Sequence, residues 1–193
     1  AAFGKSALAA NTTGGNQTAI GFNALAANTT GAANTALGSS ALAAATTAND
    51  NVAVGAGALQ ANETGIYNVA VGRMALIASL ASSNTAVGYK ALEADTTGNS
   101  NIAIGREALA DNTTANNNLA IGYQALYVNT TTPNNVAVGN YSQTANTGGS
   151  ENTTVGYSAA QANTTGSNLV AIGTWALNGN TTGQNNIALG RSA

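Results

Sequence analysis

Short apolar runs separated by Gly and by Asn-Thr-Thr recur along the chain at a nearly fixed interval, and that interval organises every other feature. Glycines at Gly4, Gly21, Gly38, Gly55, Gly72, Gly88, Gly105, Gly122, Gly139, Gly156, Gly173 and Gly190 stand 17 residues apart, except for the 16 between Gly72 and Gly88. Each is preceded by an aliphatic or aromatic residue, as in Ile20, Val54, Ile104 and Ile172. The residue two before the glycine is Ala apart from Thr154, and the residue three before is Thr, Val or Ile apart from Ala1 and Leu119. Such β-branched triplets, bounded by Gly and Asn, predict short strands.

A second apolar patch, "AL", follows three and four residues after most of the glycines, for example Ala24-Leu25 and Ala108-Leu109. The four to six residues available there are too few to offset helix nucleation. The expectation is therefore a unit of two short strands and two turns. No unit this small buries an apolar face alone, so stacking must make the core. The expected fold is all-β, a single-domain parallel β-solenoid (β-roll) over residues 1–193 with about eleven coils. At about 4.8 Å per coil the rod is roughly 50 Å long.

Stacking places like residues over like. Asn recurs four before the glycine (Asn34, Asn51, Asn68, Asn101) and seven after it (Asn11, Asn28, Asn62, Asn112), and amides in such columns can bond to their copies above and below. Within each strand the residue before the glycine and the Ala before that point to opposite faces. Both faces are apolar. The Ala column meets either the opposite layer of the same coil or a neighbouring chain; in the second case Ala70, Ala86 and Ala103 lie in an interface.

Composition removes several functions. With five basic and seven acidic residues, no His and no Cys, the chain lacks the usual acid/base and nucleophilic groups, and its acids are scattered. No enzyme activity, cofactor or metal is expected. A formal charge of −2 offers no footprint for nucleic acid, and no apolar run is long enough to span a membrane as a helix. The ten Asn-x-Ser/Thr sequons, at Asn11, Asn16, Asn28, Asn62, Asn112, Asn129, Asn140, Asn152, Asn163 and Asn180, mostly descend from one repeated "NTT", and corner formation explains them more simply than glycans. Lys90 and Glu107 share a repeat position and are expected to pair between coils.

"NTAVGYKAL", "NVAVGAGAL" and "NIAIGREAL" resemble the head repeats of YadA-like trimeric autotransporter adhesins, and similar repeats occur in bacteriophage tail fibres. The likeness runs along the whole chain, although the unit is longer than is usual in those heads and neither a heptad stalk nor a membrane barrel follows. The resemblance implies a side-by-side homotrimer and an extracellular fibre, on a cell surface or a virion, that contacts a host or environmental surface, protein or glycan. Beginning and ending in mid-unit, the chain reads as a segment of a longer fibre.

Variation marks the candidate contact surface. The position after the glycine holds Lys5, Phe22, Ser39, Ala56, Arg73, Tyr89, Arg106, Tyr123, Asn140, Tyr157, Thr174 and Arg191, although its neighbours scarcely vary. Stacking sets Arg106 between Tyr89 and Tyr123, and these with Tyr157 form the expected binding ridge; Met74, Tyr141 and Trp175 lie one position further along. Ice binding is the alternative class, on a Thr column of Thr13, Thr30, Thr47, Thr64, Thr97, Thr114 and Thr131, interrupted at Ala81 and Gly148.

Overall fold

A computed structural model describes all 193 residues as one β-solenoid of about eleven coils, with no helix. Each coil contributes one strand to a single parallel sheet of twelve, in sequence order from β1 (Ala2–Phe3) to β12 (Ile187–Leu189). Register follows the repeat: Ala36 pairs with Ala53, Ala53 with Ala70, and Ala70 with Ala86 across the short coil. The strands are at most three residues long, for instance β7 (Ile102–Ile104), and all but the first and last are held by neighbours on both sides rather than by their own length.

The second apolar patch is not a strand. The residues two and four after each glycine have positive φ, as at Asn23 (55°) and Leu25 (49°), or Glu107 (58°) and Leu109 (50°). Their N–H groups point opposite ways along the rod: Asn23 donates back to Lys5 (3.0 Å), while Leu25 donates forward to the Ala41 carbonyl (3.0 Å). This segment bonds to both adjacent coils without pleating. The left-handed conformation costs about 1–2 kcal/mol per residue, but burying a leucine returns about 2–3 kcal/mol. Leu25, Leu42, Leu59, Leu76, Leu92, Leu109 and Leu126 are all fully buried.

Those leucines, with their Ala neighbours, face the Ala column of the sheet. Ala70, Ala86 and Ala103 are fully buried inside their own coils, which answers the question the sequence left open: the Ala column packs on the opposite layer, not on another chain. Small side chains are required because the two layers of one coil approach closely. The outward side of the sheet carries the residues one and three before the glycine, and Ile20, Leu37, Ile102, Ile104 and Ile172 are exposed on it.

Two Asn ladders close the corners, by different bonds. In the column four before the glycine, side-chain oxygens accept the backbone N–H of the same position in the next coil, as from Asn68 to Asn51 (2.9 Å) and Asn118 to Asn101 (2.9 Å). The Nδ2 reaches to the turn carbonyl of the next coil, as from Asn101 to Ala115 (2.7 Å). In the column seven after the glycine the bonds run amide to amide, Asn28 to Asn11 (2.8 Å) and Asn146 to Asn129 (3.0 Å). Sequon residues Asn28, Asn62, Asn112, Asn129 and Asn163 are fully buried in that column.

The glycine that sets the period is dictated by space and by torsion. Gly105 has φ of 135°, and a Cβ there would lie 2.5 Å from the carbonyl oxygen of Gly122. The 16-residue coil keeps this glycine and loses its residue elsewhere. Asn68 donates to Ala81 as Asn51 does to Gly65, so Ala81 stacks in the turn column of Gly65 rather than in the Thr column, and the deletion falls in the Asn-Thr-Thr bend.

Candidate lateral binding ridge

Immediately after the glycine the chain turns out of the sheet, and stacking at one coil per step brings side chains from successive coils into contact. The Arg106 guanidinium lies 5.8 Å from the ring centre of Tyr89 and 5.5 Å from that of Tyr123, distances at which the ring quadrupole attracts a cation. Arg73 lies 5.9 Å from the other side of this series, again over Tyr89. The aromatic, guanidinium, aromatic order expected at Tyr89, Arg106 and Tyr123 is present.

Tyr157 does not continue this column directly, because Asn140 occupies the intervening coil. Tyr141, one position further along, bridges the gap. Its ring centre is 5.1 Å from Tyr123 and 5.9 Å from Tyr157, both edge to face, and Tyr157 meets Trp175 at 6.2 Å in the same manner. Arg191 closes the series 5.3 Å from Trp175. The ridge thus alternates between two adjacent repeat positions. Column-by-column stacking missed that alternation; the signal was that Tyr141 and Trp175 appear in the two coils where Asn140 and Thr174 replace an aromatic or Arg.

Polar groups fix the ridge at its middle. Glu107 accepts from Arg106 at 3.0 Å and from Gln124 Nε2 at 2.8 Å. The Gln124 bond first, and Arg106 after it, hold its carboxyl below the usual range. Lys90 pairs with Glu93 at 3.0 Å, not with Glu107 as the shared repeat position suggested, because the turn carries Glu93 back within reach on the same coil. Partial burial raises the Tyr141 phenol above its ordinary value. Asn140 accepts the Tyr123 backbone N–H at 2.9 Å and remains exposed.

The Asn-Thr-Thr bend forms a separate strip. Hydroxyls of the first Thr in the motif are committed to the coil below, as Thr12 to Thr29 (2.9 Å) and Thr96 to Thr113 (2.8 Å). The second Thr, including Thr30, Thr47, Thr64, Thr97 and Thr114, is exposed. It gives a single file, with a coil lacking the residue altogether.

The fold and this surface define a parallel β-solenoid with an apolar outer sheet face and an aromatic lateral ridge. No family model, curated protein or solved structure matches the chain.

Proposed function

We propose that this chain is a non-catalytic segment of an extracellular fibre, on a cell surface or a virion, packed side by side in threes and attaching laterally to a host or environmental surface. The observation that carries it is the outer face of the sheet. Two columns of mostly Ile, Val, Leu and Thr face outward along twelve strands. About 50 Å by about 10 Å of flat apolar surface, on the order of 500 Å², lies at the upper end of what a soluble monomer usually exposes. A second and third copy of the same face is a partner that matches it in length and register. YadA-like head repeats, which the strand motif resembles, supply the same expectation.

Lateral attachment is assigned to the ridge because the repeat permits variety there while its other columns are committed to packing and turns. Planar Tyr and Arg side chains give broad contact with little rotamer entropy to lose, and three copies add avidity.

Light scattering tests the assembly: about three chains per particle are expected, and Val71→Lys with Val87→Lys and Ile104→Lys should release monomers that retain the β spectrum. A monomeric unsubstituted chain would sink the trimer. Adhesion is tested by changing Tyr89, Arg106 and Tyr123 together to Ser, which should leave particle mass intact and reduce attachment; undiminished attachment would leave this segment a spacer. No thermal hysteresis is expected, since a single interrupted Thr column makes a poor ice face.

A further inference from the structure

We propose that Tyr123, Tyr141, Tyr157 and Trp175 form a track for an extended β-1,4-linked glycan lying along the rod axis. This rests on the adhesive function proposed above and names the ligand class for one part of the ridge.

Periodicity supports the assignment. One ring per coil, at 5.1, 5.9 and 6.2 Å between successive centres, makes a continuous ladder over four coils. Tyr123 and Tyr157 share one repeat position, and Tyr141 and Trp175 share the next, so the track repeats every second coil, or roughly 10 Å. In a β-1,4-linked chain each sugar is turned over relative to its neighbour, so the ligand also repeats every second unit, over about one extended disaccharide. One sugar per coil then keeps register along the track.

The chemistry agrees with the spacing. Equatorially substituted pyranoses present C–H groups on their faces and hydroxyls at their edges. The C–H faces suit the negative faces of aromatic rings, and the hydroxyls need polar groups beside them. Those are present: exposed Asn140 is anchored through its oxygen on Tyr123 N–H, half-exposed Thr174 precedes the indole, and Gln124 and Arg191 flank the two ends. Tyr157 is 47 % exposed and Trp175 38 %, so both are reachable. No ionised group interrupts the four rings.

Other linear ligands fit less well. An extended peptide strand repeats at about 6.8 Å and drifts out of step within two coils. A polyproline helix repeats at about 9.3 Å, but with three residues per turn it presents one residue to the track every two coils and leaves every second ring without a partner.

Trp175 is the only tryptophan in the chain and reports on the track directly. The full chain is titrated with cellohexaose and chitohexaose while its emission is followed, with maltohexaose and an oligoproline as controls. At least one β-1,4-linked hexaose should give a saturable change, and the controls none. Tyr141→Ser combined with Tyr157→Ser, which keeps the reporter, should weaken binding about tenfold with an unchanged circular dichroism spectrum. Tyr141→Phe with Tyr157→Phe keeps the rings and should bind within about twofold. No response to either β-linked hexaose, an equal response to maltohexaose, binding of the oligoproline instead, or undiminished affinity in the double Ser variant would each overturn the assignment. If glycan binding fails while ridge-dependent attachment persists, the glycan falls and the adhesive fibre stands. If the hexaoses bind but the fibre attaches to nothing, the reverse holds.

Discussion

The Ser79 hydroxyl donates to Asp95 Oδ2 at 3.0 Å, joining the one shortened coil to the one carboxylate in the inner asparagine column. Asn112 Nδ2 (2.8 Å) and the Gly98 N–H (3.2 Å) donate to its other oxygen, so the buried carboxylate is ringed by donors and has no cation beside it. Ser79 and Asp95 together fill two adjacent rungs of a column that, apart from Ala45, otherwise carries Asn, and the shorter Ser meets the carboxylate from the coil whose bend has lost a residue.

Stability between about pH 5 and 7 should therefore depend on pH chiefly through this buried group. Burial raises the Asp95 pKa from 3.8 to about 6, against the opposing hydrogen bonds from Ser79, Asn112 and Gly98. A carboxyl that binds its proton more tightly when folded stabilises the fold fully below about pH 4, and that contribution is lost as pH rises through about 6. That difference between the folded and unfolded carboxyl corresponds to roughly 3 kcal/mol. Denaturation midpoints measured from pH 3 to 8 should fall across that window in the native chain and stay flat in Asp95→Asn, which restores the amide of the other coils. A native profile with no such fall would show that the three donors stabilise the carboxylate enough to cancel its burial.

A second polar residue sits where the column calls for leucine. Gln143 is fully buried, in left-handed conformation, and neither its Nε2 nor its Oε1 has a partner. It stacks between Leu126 and Ala160 and separates the main apolar cluster from a small one around Ala159 and Ala176. Unmade buried bonds cost about 1–3 kcal/mol each, so Gln143→Leu should raise stability by about 2 kcal/mol or more. Chemical denaturation of the variant is the check; a lower midpoint would mean the site needs the polar group.

Gly105→Ala should be among the most damaging single changes. It adds a Cβ 2.5 Å from a backbone oxygen that the sheet holds in place, at a φ that L-residues avoid. A loss of about 3 kcal/mol or more is expected, against under about 1 kcal/mol for Ala56→Ser at an exposed ridge position. Similar midpoints for the two variants would contradict the close coil-to-coil approach.

Removing residues 56–72 joins Gly55 to Arg73 and deletes one whole coil, so the fold should survive with one strand fewer. Removing eight residues from the same place leaves nine where a coil needs sixteen or seventeen, too few to pass round both layers, so the adjoining strands lose their register and the core opens. Circular dichroism and proteolysis should separate the two. The short coil defines the tolerance: one missing residue is absorbed in the Asn-Thr-Thr bend, not in the strand.

Residue identity alone determined whatever depends on translation along the rod. A fixed spacing of Gly105 from Gly122 puts Ile104 over Ile121 and Asn101 over Asn118 whatever path the coil takes between them, so period, parallel register, the asparagine ladders and the Arg106 stack were all legible. Path within a coil was not. Ala-Leu is compatible with strand, helix or turn, and only the bonds of Asn23 to the coil before and Leu25 to the coil after select the left-handed turn that aims the leucine inward. That choice decided that Ala86 is interior and Ile104 exterior, since an alternating strand labels two faces without saying which encloses the core. It also brought Tyr141 and Trp175 into line with Tyr123 and Tyr157. Their contact depends on where two neighbouring backbone positions project their rings in space, and a one-dimensional repeat carries no record of that.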